Sequence, residues 1–310
     1  MATTTSITTT YAGEFAGKYV SAALLSADTI EGGGITIKPN VKYKEVLKTM
    51  NLDAITKDAT CDFSDTSTLT LAEKVLSPKE MQVNLELCKS DFVSDWEAIS
   101  MGYSAFDELP ANFADYLIGY VAAKVAAKNE TNIWSGADAN EGEFDGFTAL
   151  LAADASVVDV TGTTITAANV IDELGKVVDA IPAALYGKED LYIYVSQHIA
   201  RAYVRALGGF GANGLGGNGV ASNGTTWYNG GDLAFDGVKL FVASGMPTND
   251  MVAAQKSNLF FGTGLLSDHQ EVKLLDMADL DGSQNVRVVM RFTSGVQYGI
   301  GSDLVLQTLA

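Results

Sequence analysis

The side chains able to do chemistry in this 310-residue chain are present but scattered. Gly209, Gly211 and Gly214 match the G-x-G-x-x-G spacing that lets a backbone close on a pyrophosphate. That use needs a strand before the glycines and a helix N-terminus after them. Here a helical segment comes first and more Gly and Asn follow, so the run GGFGANGLGGNG reads as a loop. His198 falls on that helical segment and His269 in a loop, neither near a cysteine, so no zinc-ligand spacing exists. Cys61 and Cys88 are read as reduced, partly buried thiols with no base beside them. Asp138, Glu141, Glu143 and Asp145 are hard oxygen donors, but they lack the order of a calcium loop and read as a solvated acidic turn. No G-x-S-x-G elbow and no Walker A run occurs. The chain is therefore read as not an enzyme, with no catalytic, cofactor-binding or metal residue assigned.

Charge points the same way. The net charge is −18, and residues 90–160 carry −11 of it. A protein that grips nucleic acid needs clustered Lys and Arg to displace counterions, so this balance argues against a tight nucleic-acid binder while leaving open one that encloses nucleic acid. The N-terminus MATTTSITTTY lacks a basic and apolar signal, and no run reaches the roughly 18 apolar residues that span a bilayer. The expectation is a protein made in a cytoplasm, with Asn129-Glu130-Thr131 and Asn223-Gly224-Thr225 discounted as glycosylation triplets.

The elements that would position any site are easier to read. A long helix is expected from Pro110 to Trp134, opened by Pro110 with Asn112 and Asp115, closed at Ser135-Gly136, and about 37 Å long. Phe113, Leu117, Ile118, Tyr120, Val121 and Val125 share one arc; Gly119, Ala122, Ala123 and Ala126 make the other side small. This pattern predicts a helix packed on both sides, with Lys124 and Lys128 inside the apolar arc. Leu69, Leu71 and Val75, then Met81, Val83, Leu85 and Leu87, alternate on either side of Ser77-Pro78-Lys79-Glu80, which predicts a hairpin lying on another surface. Lys38, Lys42, Lys44 and Lys48 sit on extended segments after the Gly32–Gly34 break, and residues 2–10 form a Thr-rich arm. Asp91 to Met101 reads as a short helix anchored by Trp96.

A compact α/β region follows: a strand at 157–160, a helix at 167–181 capped by Thr166 and stopped at Pro182, a strand through Leu191, Ile193 and Val195, and a helix capped by Ser196. Further strands are expected at 225–228, 233–235, 238–243 and 251–254, then at 272–275, 286–292 and 296–300 separated by turns.

Taken in order, these parts resemble the Hong Kong 97-type major capsid protein of tailed bacteriophages. The run LTLAEKVLSPKEMQVNLELCKSDFVSDWEA, Leu69 to Ala98, is similar to the capsid proteins of phages infecting Bacteroidetes-type hosts. So are SGMP at 244–247, NLFFGTGLLSD and the terminal NVRVVMRFTSGVQYGIGSDLVL. The resemblance covers nearly the whole chain. It implies an α+β fold with an N-terminal arm at 1–30, an extended loop at 31–90, a peripheral domain at 91–149 and 265–310 with a spine helix at 110–134, and an axial domain at 150–264. It also implies hexamers and pentamers in an icosahedral shell around double-stranded DNA, a portal partner and scaffolding supplied by another protein, and leaves open whether decoration proteins are needed. The place would be the virion capsid, after synthesis in the host bacterial cytoplasm, with no cofactor and no membrane partner. Lys38, Lys42 and Lys44 are expected to meet carboxylates of the next subunit, Asp91, Asp95 and Asp115 among them. Two alternatives stay open at this point: an encapsulin-like compartment of the same fold, and a soluble α/β enzyme.

Overall fold

The computed structural model describes residues 28–52, 56–59, 61, 65, 68–88, 111–207, 233–264, 273–278 and 282–309. In chain order the elements are α1 (Asp28–Glu31), β1 (Thr36–Lys38), β2 (Glu45–Leu52), β3 (Leu69–Leu76), β4 (Lys79–Cys88), α2 (Ala111–Ser135), α3 (Phe147–Ala152), β5 (Val158–Gly162), α4 (Val170–Ala180), β6 (Leu191–Val195), α5 (Gln197–Leu207), β7 (Ala234–Phe235), β8 (Val238–Val242), β9 (Met251–Gln255), β10 (Leu259–Thr263), β11 (Lys273–Asp276), β12 (Asn285–Tyr298) and β13 (Val305–Leu309). The Thr-rich arm, the 91–101 segment with Trp96, the Gly-rich run, the 225–228 strand and His269 lie outside the described residues.

Among the described residues, three sheets organise the fold. A six-stranded sheet runs β5-β13-β9-β6-β8-β7, and a five-stranded sheet joins β1, β10, β12 and β11 with β4 on the remaining side of β12. The third is a ribbon of β2 and β3 alone. Strand alternation explains how the six-stranded sheet is covered on both faces. Leu191, Ile193, Val195, Met251, Ala253 and Val305 meet Val170, Leu174, Val177 of α4 and Ile199, Ala202, Tyr203 of α5 in one core. Tyr194, Val252, Ala254 and Leu306 point the other way, into a second core with Ile133 and Trp134 of α2, Phe147 of α3, and Val288, Met290 and Phe292 of β12. The second core thus joins both large sheets through the long helix.

Trp134 is the centre of that junction. Its ring lies 5.0 Å from Tyr194 and 5.4 Å from Phe147, and its Nε1 donates to Thr29 Oγ1 at 2.7 Å. Thr29 in turn gives its backbone N–H and its hydroxyl to the buried carboxylate of Glu130, which ties α1 to the long helix.

Several expectations hold in detail. Ser196 Oγ accepts from the Ile199 N–H, as a cap should. Ile181 is extended ahead of Pro182, ending α4. Asp236-Gly237, both with positive φ, make the two-residue turn from β7 to β8. The helix after Thr166 starts a turn later than expected, at Val170, because Thr166 and Asn169 close a local turn through the Asn169 Oδ1.

Three expectations are corrected. The 69–76 and 79–88 strands do not pair with each other: β3 pairs with β2, and β4 runs antiparallel to β12 across ten residues. Alternation at Met81, Val83, Leu85 and Leu87 specified a buried face, and the 14-residue β12 satisfies it better than a short ribbon does. Next, β12 is one continuous strand through Thr293-Ser294-Gly295, not two strands and a turn. Gly295 is required by close approach: a Cβ there would sit 2.9 Å from the Pro78 Cα. Finally, α2 is not packed on both sides. Ala123, Lys124, Ala127, Lys128 and Thr131 are exposed, and the buried arc is turned toward Ala122, Ala126, Asn129 and Ile133. The buried face takes in Ile118, Val121 and Val125 of the expected apolar arc together with Ala122 and Ala126 of the small side, so the two expected sides merge into one and a stripe through Lys124 and Lys128 stays exposed.

Candidate assembly interface

No cluster of three or more His, Cys, Asp or Glu able to hold a metal occurs among the described residues, and none of their helices is long and apolar enough to cross a membrane. The acidic turn after α2 is organised by its own donors. Glu143 accepts from Lys128 Nζ, from Asn140 Nδ2 at 3.0 Å and from the Ala137 N–H at 3.2 Å. Those bonds, the lysine first, lower its carboxyl to about 2. Asp138 bonds Lys79 at 2.8 Å, while Asp145 accepts the Asp138 N–H. His198 is exposed on α5.

The feature that stands apart is the β2–β3 ribbon. Residues directly opposite in an antiparallel pair share a face. Val46 faces Val75, Met50 faces Leu71 and Leu52 faces Leu69, with Lys48 opposite Glu73 between them. All six of those apolar side chains are exposed, Leu71 by 72% and Met50 by 64%. The other face begins at its root with Leu47 and Leu76, both buried. The ribbon therefore turns one face to the body at its root and carries a row of Val, Leu and Met on the other, the reverse of what a solvated ribbon would choose.

The root is held at three successive residues. Leu76 fills a slot over Gly262, where a Cβ on the glycine would come within 2.8 Å of the leucine. Gln297 Nε2 donates to the Val75 carbonyl at 3.1 Å. Lys74 Nζ donates to Asp154 Oδ2 at 2.7 Å and lies 3.5 Å from the centre of the Tyr298 ring. Asp154 also accepts from the Tyr298 hydroxyl at 2.6 Å and from the Ser156 hydroxyl and N–H at 2.7 and 2.9 Å. These donors, Lys74 foremost, hold its carboxyl well below the ordinary aspartate range; burial and the same carboxylate push the Tyr298 phenol up.

The residues expected at an inter-subunit contact are placed unevenly. Lys38 bonds Glu45 at 2.5 Å within the chain and lies 5.4 Å from the centre of the Phe260 ring. Lys42 is exposed, as is Lys44, whose Nζ is 5.2 Å from the centre of the Tyr43 ring. Asp115 falls within α2, whereas Asp91 and Asp95 lie outside the described residues. Sequence reasoning missed the Lys74–Asp154–Tyr298 site, whose members are far apart in the chain; nothing local marks them as partners.

No protein-family model matches the chain, and no curated protein matches it. Solved structures do. The capsid of an empty GTA particle superposes with a TM-score of 0.59 at 14% identity, covering 100% of this chain and 95% of that one. A Gordonia phage Cozz chain gives 0.59 at 12% identity over 92% and 87% of the two chains. A chain of the satellite phage P4 procapsid that includes the size determination protein gives 0.55 at 11% identity over 94% and 97%. The α+β fold is the one these chains share.

Proposed function

We propose that the chain is a major capsid protein of a tailed bacteriophage, of Hong Kong 97 type. In this reading it is a structural protein and not an enzyme. It is made in the host bacterial cytoplasm and assembles as hexamers and pentamers into an icosahedral shell around double-stranded DNA. The observation that carries the reading is the outward apolar face of the β2–β3 ribbon, which needs a partner surface to leave water. The fold shared with solved capsids supports it. Residues 1–30 would then be the arm, 31–90 the extended loop, 91–149 and 265–310 the peripheral domain, and 150–264 the axial domain. The surplus of acid suits a shell that encloses DNA without gripping it. Lys42 and Lys44, with Lys38 once released from Glu45, would face carboxylates of the next subunit, Asp91, Asp95 and Asp115 among them.

Electron microscopy and sedimentation of the expressed chain test this. Closed, uniform particles are the expected outcome. A monodisperse monomer or dimer under native conditions would overturn the shell, and closed shells holding protein cargo in place of DNA would favour an encapsulin-like compartment.

A further inference from the structure

The geometry points to Lys74 as a positioning residue: through Asp154 and Tyr298 it sets the direction in which the β2–β3 ribbon leaves the body. The ribbon is a two-stranded element, and such elements have little rigidity of their own. Among the described residues four contacts hold its root, and they differ in what they constrain. The Leu76 slot is apolar and so non-directional. The Gln297 bond to the Val75 carbonyl is a single contact from an amide at an exposed site. The Lys38–Glu45 pair joins β1 to the start of β2 through two long, partly exposed side chains, which can follow one another as the root turns. None of these three fixes rotation about the root.

The Lys74 site does. Its ammonium has one place that satisfies both the Asp154 Oδ2 at 2.7 Å and the Tyr298 ring face at 3.5 Å. The acceptor cannot drift to follow it, because Ser156 occupies Oδ1 twice and the Tyr298 hydroxyl shares Oδ2. Asp154 is itself fixed at the end of α3, where its N–H donates to the Leu151 carbonyl. Tyr298 is the last residue of β12, paired with Leu259 of β10. The ribbon is thus referred to both the α3–β5 turn and the five-stranded sheet. Lys74 lies on the ribbon face opposite Met50 and Leu71, so turning the root there turns the apolar row. That the apolar row is an assembly surface rests on the function proposed above; the fixed direction does not.

The test separates the two. In the full chain carrying Cys61→Ser, Cys88→Ser, Ala72→Cys and Asp179→Cys, nitroxide labels on position 72, exposed on β3, and on position 179, exposed on α4, report the ribbon's direction as a distance distribution by pulsed electron resonance. A single narrow distance is expected in this parent. Lys74→Met, which keeps the stem and removes the charge, is expected to lose the narrow peak, and Asp154→Asn to broaden it; Lys48→Met, farther out on the ribbon, is expected to leave it unchanged. A parent that is already broad, or a Lys74→Met distribution matching the parent, would overturn the assignment. Should Lys74→Met not fold, Tyr298→Phe applies the same criterion to the ring hydroxyl. Failure of the unlabelled chain to form particles would count against the capsid reading, while the distances would still decide the role of Lys74.

Discussion

Asn129 and Glu130 are neighbours on α2, both buried and both polar, yet the structure treats them oppositely. Glu130 has its carboxylate bonded by Thr29, whereas neither amide atom of Asn129 has a hydrogen-bond partner among the described residues. Asn129 borders a cavity of about 580 Å³ between β4 and α2, where Met81, Val83, Val121, Val125 and Phe292 meet polar side chains such as Asn132 and Glu141. Burying an unbonded carboxamide is unfavourable, so Asn129→Leu should stabilise the fold by about 1–2 kcal/mol, read as a higher urea midpoint at unchanged slope. Loss of stability instead would mean that the amide has a partner in solution. Glu130→Leu should do the reverse and cost about 1.5–3 kcal/mol, because two donors on Thr29 lose a charged acceptor. Asp154 gives a pH-dependent counterpart. Its folded value lies below the ordinary 3.8, so its contribution is present above about pH 4 and is lost as pH falls through the folded value. Denaturant titrations across pH should show the parent more stable than Asp154→Asn at neutral pH, with the gap closing in acid. A constant gap would place the effect in packing.

At the scale of elements, what could be read from the sequence was periodicity and punctuation; what could not was partnership. The long helix, the Leu191–Ile193–Val195 strand and the Ser196 cap were legible because each is encoded in one continuous stretch of sequence. β4 shows the limit. Its alternation marked which side chains face inward, but an alternating strand accepts any partner offering an apolar face, and the partner was β12, two hundred residues away. Gly295 shows another limit, since a glycine needed for backbone approach looks the same in sequence as one needed for a turn. The structural reading can be tested directly. Gly295→Val leaves a strand-compatible residue but drives side-chain atoms into Pro78, and should cost about 1–3 kcal/mol in denaturant unfolding. If position 295 were a turn with open space around it, valine would be tolerated. The candidate interface was the least legible part. Its apolar row appears only when β2 and β3 are set in register, and the loop between them hides that pairing from any local pattern.

For the whole molecule, the proposed shell raises the question of which free energy would hold copies together. The chain carries −18, so identical copies repel at long range, and exposed ion pairs of the Lys42 or Lys44 kind return only about 0–1 kcal/mol each. The apolar ribbon face offers more, since burying one large aliphatic side chain is worth about 1.5–3 kcal/mol. Assembly should therefore depend on Met50 and Leu71 more than on the lysines. Both are exposed in the single chain, so Met50→Asp with Leu71→Asp should leave its unfolding within about 0.5 kcal/mol of the parent. In sedimentation the same variant should lose particles, whereas Lys42→Glu with Lys44→Glu should shift the salt at which particles form without abolishing them. Particles of normal yield from the aspartate variant would show that the ribbon's apolar row is not what joins the copies. An equal loss from the two variants would instead assign the contact to charge.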